Sequence, residues 1–239
     1  MESTRSNADR KGLAVTSNGG KLVNTPVYTS EDNTSNINAS MLIRENGSMA
    51  CNARYLNSGI MMEELLRIKS LDKKDQNQYL LEKYPSRELT VKKYSINETA
   101  DVYPSLTFDI EMEEMEFASK TGDLISFNPN YLRRFKNPFN SSEERINDIQ
   151  LDYGYQQHDT ISIMLPEEYV IEYLPEPKKL NTEFGEFKTE FIQKENQLMF
   201  LRHLIMFKGS FSKDKYGALV DFYRQIQVAD QQKILLKRK

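Results

Sequence analysis

The densest strand-like pattern in the chain runs from Asp159 to Lys208, DTISIMLPEEYVIEYLPEPKKLNTEFGEFKTEFIQKENQLMFLRHLIMFK. Ile161, Ile163 and Leu165 alternate with polar neighbours up to Pro166. Val170 to Leu174 reads as a further strand that Pro175 and Pro177 close, because proline has no amide to give a ladder. A hairpin follows. With Glu195-Asn196 as a two-residue turn, Phe191 faces Phe200 and Phe187 faces Leu204. Such large apolar cross-strand pairs add roughly 0.2–1 kcal/mol each beyond plain burial. Met199, Leu201, His203 and Ile205 take the reverse face, so the last strand is expected to be central and covered on both sides.

A second hairpin can also be registered. Ile37, Ala39, Met41 and Ile43 alternate, as do Met49, Cys51, Ala53 and Tyr55. A two-residue Asn46-Gly47 turn would put the two sets on opposite faces of the ribbon. A three-residue loop, Glu45-Asn46-Gly47, pairs Ile43 with Met49, Met41 with Cys51, Ala39 with Ala53 and Ile37 with Tyr55. All eight then share one face, with Gly47 in the left-handed position that closes such a loop. Cys51 therefore faces a core.

Between and around these hairpins the coarse pattern is mixed. Leu13–Thr16 and Lys21–Val23 flank a Ser17-Asn18-Gly19-Gly20 turn. Met61, Met62, Leu65, Leu66 and Ile68 have helical spacing after Ser58, a potential cap, and a second helix runs from about Asp72 to Tyr84, where Pro85 ends it. Leu89, Val91 and Tyr94 suit a strand. Leu106, Phe108, Ile110 and Met112 alternate until Glu113-Glu114, where the parity changes and a bulge is expected. Gly122 to Phe127, Ile149 with Leu151, and Ile234 to Leu236 are short strands. Tyr216, Leu219, Val220, Tyr223 and Ile226 mark a final helix that Ser212 caps.

The expected fold is mainly β (α+β): antiparallel, sandwich-like sheets with about three helices packed on them. The expected organisation is a flexible tail over 1–11, a β-rich region over 12–145 with a helical insertion at about 60–85, and an antiparallel sheet over 146–239 with a helix at 212–229. The Pro/Asn-rich stretch 128–145 is the candidate boundary, and the two regions could equally form one continuous module.

Composition limits function. Of 239 residues, 32 are Lys or Arg and 35 Asp or Glu, a balance unsuited to a phosphate-binding surface, so nucleic acid is not expected as a partner. A single cysteine rules out an intramolecular disulfide. No apolar run approaches the ~20 residues of a membrane helix. The N-terminal MESTRSNADRKG has no apolar core, so no signal peptide is read there; the chain is either cytosolic or a fragment whose export signal lies upstream.

Candidate chemistry is sparse. A thiol enzyme needs a cysteine with a nearby imidazole, and Cys51, His158 and His203 supply the residue types. Their placement is unsuited: Cys51 is mid-strand on an apolar face, His203 lies between Leu201 and Ile205 as a core histidine, and His158 begins a strand as a surface residue. Two distant histidines are a poor zinc signal. Glu111, Glu113, Glu114 and Glu116 could attract calcium but lack a calcium-hand loop, and are read as gatekeeping charges on a strand edge. Asp148 and Asp152 beside Tyr153 and Tyr155 are nonspecific, and Gly19-Gly20 is a turn, not a phosphate loop. Asn33, Asn38, Asn46, Asn97 and Asn140 begin glycosylation triplets that are common by chance. The 13 tyrosines without tryptophan weaken a carbohydrate platform without excluding it. No catalytic, cofactor-binding or metal-binding residue is assigned.

Several segments have a familiar look: GLAVTSNGGKLVNTPVY, the hairpin ending RYLNSG, GDLISFNPN, NPFNSSEERI, ISIMLPEEYVIEYLPEP and ADQQKILLKRK. In their order and spacing, from about Gly12 to Lys239, they resemble the C-terminal region of bacterial transglutaminase-like multi-domain proteins. The resemblance implies an exported, periplasmic or cell-surface setting, with the papain-like core and its Cys-His-Asp triad upstream. Cys51, His158 and His203 do not sit in the triad's motifs. The expectation is a non-catalytic accessory module whose partner is that core, with a peptide or glycan as further ligand. The alternatives are a freestanding surface glycan- or protein-binding module and, last, a cryptic thiol enzyme.

Overall fold

The computed structural model describes residues 11–17, 19–25, 27–84, 86, 88–99, 104–133, 135, 138 and 145–239. Of the expected tail, only Lys11 is described, and it opens the first strand; Asn18, Pro85 and Asn140 lie outside the described residues.

Strands β1 (Lys11–Thr16) and β2 (Gly19–Asn24) pair as a separate antiparallel ribbon. Strands β3 (Ser35–Ile43) and β4 (Met49–Ser58) form the expected hairpin in the expected register, Ile43 opposite Met49 and Ile37 opposite Tyr55, with Gly47 at φ 84°. A 3-10 turn at Gly59–Met62 leads into α1 (Glu63–Lys69) and α2 (Lys73–Lys83). Ser58 does not cap it; its hydroxyl donates to the Asp32 carbonyl instead. Asp72 does cap α2, accepting from the Asp75 amide at 2.9 Å.

Then come β5 (Leu89–Glu98), β6 (Ser105–Glu114), β7 (Ser119–Thr121), β8 (Leu124–Phe127), β9 (Ile149–Leu151), β10 (Tyr155–Met164), β11 (Tyr169–Tyr173) and β12 (Lys179–Asn181). The chain ends with β13 (Gly185–Lys194), β14 (Gln197–Met206), β15 (Gly209–Phe211), α3 (Tyr216–Asp230) and β16 (Ile234–Arg238). The hairpin β13–β14 turns at Glu195-Asn196 as its residue pattern requires, with Glu195 at φ 53°. Phe191 lies opposite Phe200, ring centroids 5.1 Å apart. Ser212 accepts from the Asp214 amide and caps a 3-10 turn, Lys213–Lys215, from which α3 continues.

The fold is mostly antiparallel β with three α-helices among the described residues. An eight-stranded sheet runs in the order β12-β13-β14-β10-β3-β4-β6-β5, and a four-stranded one in the order β11-β16-β8-β7. Within the large sheet only β10 and β3 pair in parallel. Strands from both sides of 128–145 thus share one sheet. The parity change near Glu113 has a different origin from the expected bulge. β6 runs unbroken to Glu114 and the chain then turns, while the bulge lies on the neighbouring strand, where Lys92 is the extra residue between Val91 and Lys93. Nor is β6 an edge: β4 and β5 flank it.

One face of the large sheet is covered. Its Ile37, Met41, Cys51, Phe108, Ile110, Ile161 and Phe200 pack with α1, α2 and the small sheet's Ile125, Phe127, Ile234 and Leu236. Further along the same face, Phe187, Leu204 and Met206 pack under Leu219, Phe222 and Ile226 of α3. The other face is open. Met199, Leu201, His203 and Ile205 are half-buried and belong to neither cluster, so β14 is covered on one side and not on two. The reverse side of this strand is apolar enough to mimic a second core face, but no described element packs over it.

Candidate ligand-binding face

Alternation, reset in β5 by the bulge at Lys92, decides what stands on the open face. In β3 it is Asn38 and Ser40, in β4 Asn52 and Arg54, in β6 Asp109 and Glu111, in β5 Lys93 and Ser95. The ladders align these side chains in rows across the strands. One row runs Thr160, Asn38, Arg54, Asp109, Ser95, and the next Ser162, Ser40, Asn52, Glu111, Lys93. Side chains of β3, β4, β6 and β5 line a depression of about 710 Å³. Arg54 Nε donates to Asp109 Oδ1 at 2.6 Å, and Glu113 takes Arg44 at 3.1 Å and Lys92 at 2.9 Å. The hydrogen bonds from Lys92 and Arg44 hold the Glu113 carboxyl below its usual range. The floor's main-chain groups are used in the ladders, so only side chains can read a ligand here: carboxamides, hydroxyls, a guanidinium and carboxylates.

Towards the other end of the same face, His158 and His203 lie directly opposite each other on β10 and β14. Their rings stack with centroids 4.0 Å apart and planes 28° apart. His203 is therefore a half-buried residue of the open face, not a core histidine. Burial and then the neighbouring His158 lower its pKa. The pair lines a second, smaller depression of about 230 Å³ with Lys188 and Glu190.

Cys51 stands on the covered face, 1% exposed. Burial pushes its thiol up to about 12. Both histidines point to the opposite side of the sheet, so the three residue types of a thiol centre are separated by the sheet itself. The acidic cluster is divided in the same way. Glu111 and Glu113 are on the open face, whereas Glu114 is buried on the covered one, accepting from Ser86 at 2.5 Å and Tyr131 at 3.2 Å. No group of three or more His, Cys, Asp or Glu converges among the described residues. Asn33 is fully buried, its amide donating to the Gly154 carbonyl and its Oδ1 accepting from the Ile60 amide, so it is no glycan acceptor. Asp148 accepts from the Lys213 amide.

Four charged side chains form a buried ionic network. Arg202 donates from Nε and Nη2 to Asp230 at 2.8 and 2.9 Å, and from Nη1 to Gln157 at 2.9 Å and Asp159 at 3.5 Å. Arg133 forks onto Asp159 at 2.6 and 2.7 Å and reaches the Ser35 carbonyl at 2.8 Å. Burial works against the Arg133 charge, but Asp159, with Tyr55 and Asp230, outweighs it and leaves its pKa raised. Burial raises the Asp230 pKa against the opposing pull of Arg202. Two cations and two anions balance at the seam between the two apolar clusters, where they tie the end of α3 and the connector to the large sheet. The sequence does carry a signal for this: Arg202 and Asp159 interrupt apolar alternations at core-facing positions.

Residues 123–236 match the model of a family described as a domain of unknown function with solved structure, DUF3858. Among solved structures, a candidate protease from Parabacteroides distasonis aligns with 16% identity and a TM-score of 0.37. That alignment covers 42% of this chain and 20% of the other. No curated protein matches the chain.

Proposed function

We propose that this chain is a non-catalytic module of a longer, exported transglutaminase-like protein, and that its open sheet face binds a polar ligand, a peptide or a glycan. The observation that carries this reading is the contrast between the two sides of the large sheet. The covered side holds the chain's one thiol, buried and protonated. The open side displays a broad depression of side-chain donors and acceptors, the chemistry of recognition and not of nucleophilic attack. The match to a domain of unknown function over 123–236 is compatible with an accessory role. Association with a transglutaminase-like core rests on the segment resemblance.

The test compares the core fused to this chain with the core alone, and with a fusion carrying Asn38→Lys and Asn52→Lys, which fill the depression. The expected result is that the chain alters stability, activity or partner capture of the core, and that the filled variant loses capture while melting as the parent does. If the chain has no effect on any of the three, the proposal fails. A freestanding glycan-binding module is the second reading. It is favoured by the carboxamide and hydroxyl floor at Asn38, Ser40 and Asn52. A glycan array on the isolated chain decides it, and an array without hits disposes of it.

A further inference from the structure

We propose that His158 and His203 form a two-imidazole site for a late first-row divalent cation such as zinc or nickel. The rings are brought together by the register of β10 and β14, not by a flexible loop, and they stand 4.0 Å apart on the open face. Zinc–nitrogen bonds of about 2.1 Å place two ligand nitrogens about 3–3.4 Å apart on one ion. The 4.0 Å is the separation of stacked ring centroids, so each ring has to turn out of the stack for its in-plane lone pair to reach a shared ion.

Two details of the hydrogen bonding point the same way. His158 Nε2 lies 3.1 Å from Gln156 Oε1, an acceptor that suits the tautomer with its proton on Nε2. The neutral ring then presents its lone pair at Nδ1. A ligating histidine typically donates its second nitrogen to such an acceptor, which fixes its tautomer. On the other ring, Nε2 of His203 is buried and has no hydrogen-bond partner, a state that polar atoms in folded proteins rarely keep. An ion in the depression beside the pair would be completed by water, since no third His, Cys, Asp or Glu converges there among the described residues. Imidazole donors favour zinc, nickel or copper over calcium or magnesium. The site does not depend on the module's proposed parent or on the polar depression.

The experiment titrates Zn²⁺, and separately Ni²⁺, into the isolated chain in a non-coordinating buffer. Calorimetry is combined with NMR of the imidazole resonances, using the parent chain, His158→Gln, His203→Gln and the double variant. The expected result is one equivalent bound with both rings perturbed. Affinity should be at least roughly tenfold weaker in each single variant, since even losing a ligand's hydrogen-bond partner weakens metal sites 10–100-fold. The double variant should show no binding. Absence of binding to the parent, a perturbation confined to one ring, or undiminished binding by the double variant would overturn the proposal. His158 is exposed, so its variant keeps the test decisive even if His203→Gln fails to fold.

Discussion

Asp230→Ala probes the reasoning about the buried network most directly. The Arg202 side chain is 0% exposed and the Asp230 side chain 3%. Removing the carboxylate strips the guanidinium of two charge-assisted hydrogen bonds while its charge stays in the interior, beside Gln157 and Asp159. Breaking a buried pair from one side destabilises by about 3–5 kcal/mol, because an uncompensated charge is left behind. That is a large part of the roughly 5–15 kcal/mol of a folded domain. With a urea slope of about 3 kcal/mol/M, the midpoint should fall by about 1 M or more. The discriminating arm is the double variant Arg202→Met with Asp230→Leu. It removes one cation and one anion, leaves Arg133 and Asp159 as a balanced pair, and fills the site with apolar volume. It should recover most of the single variant's loss. Equilibrium urea unfolding followed by far-UV circular dichroism reads both. A loss below about 1 kcal/mol in Asp230→Ala, or a double variant that is the simple sum of its parts, would refute the assignment of the four charges to one coupled unit.

Other expectations concern single positions. Cys51 has a folded pKa above its ordinary 9.0, so the native state holds its proton where the unfolded chain releases it. Stability is intact below pH 9 and falls by about 1.4 kcal/mol per unit above it, towards the folded value of about 12. Cys51→Ala should lack this extra slope between pH 9 and 11 in denaturant titrations, and equal slopes would contradict the burial. In the native chain the thiol should also resist alkylation, whereas fast, pH-dependent labelling would revive the enzyme reading. Gly59→Ala should lower the melting temperature, because Gly59 has φ 56° and a Cβ there would lie 2.3 Å from Asn33 Oδ1, the acceptor for Ile60. Gly217→Ala should raise stability by up to about 0.5 kcal/mol, since this glycine is exposed and its Cβ would meet open space. The gain is less than in a helix interior because Gly217 is the second residue of α3. Tyr55 and Tyr84 share a buried hydroxyl contact of 2.5 Å. Tyr84→Phe should cost about 1–3 kcal/mol, and less once Tyr55→Phe is also present. A double-mutant cycle with no coupling would argue against the contact.

The parts of the fold that were legible in the residues are those in which a local rule and a core face agree. The β3–β4 loop could be placed because only one register brings Ile43, Met41, Ala39 and Ile37 onto the face of Met49, Cys51, Ala53 and Tyr55. The β13–β14 turn could be placed for the same reason, through Phe191 and Phe200. The parallel pairing of β10 with β3 has no such local signature. It joins positions more than a hundred residues apart, and nothing near Asp159 announces Ile37 as its neighbour. The change of parity after Met112 is likewise ambiguous in one dimension, since a turn and a bulge both shift the pattern by one.

Arg202 and His203 show why the candidate site was harder to read than the fold. They are adjacent on β14 and point to opposite sides of the sheet. Alternation separates them correctly but does not say which side is covered, since Met199, Leu201 and Ile205 look as apolar as Leu198, Phe200 and Leu204. Coverage is decided by α3 and the small sheet, which both fall on the Arg202 side. That choice puts the charged residue in the interior, where Asp159, Asp230 and Gln157 must answer it, and leaves the titratable imidazole beside His158 at the surface. Each side's chemistry then follows: the buried charges answer one another between the two clusters, and the open side keeps its polar and titratable groups at the surface.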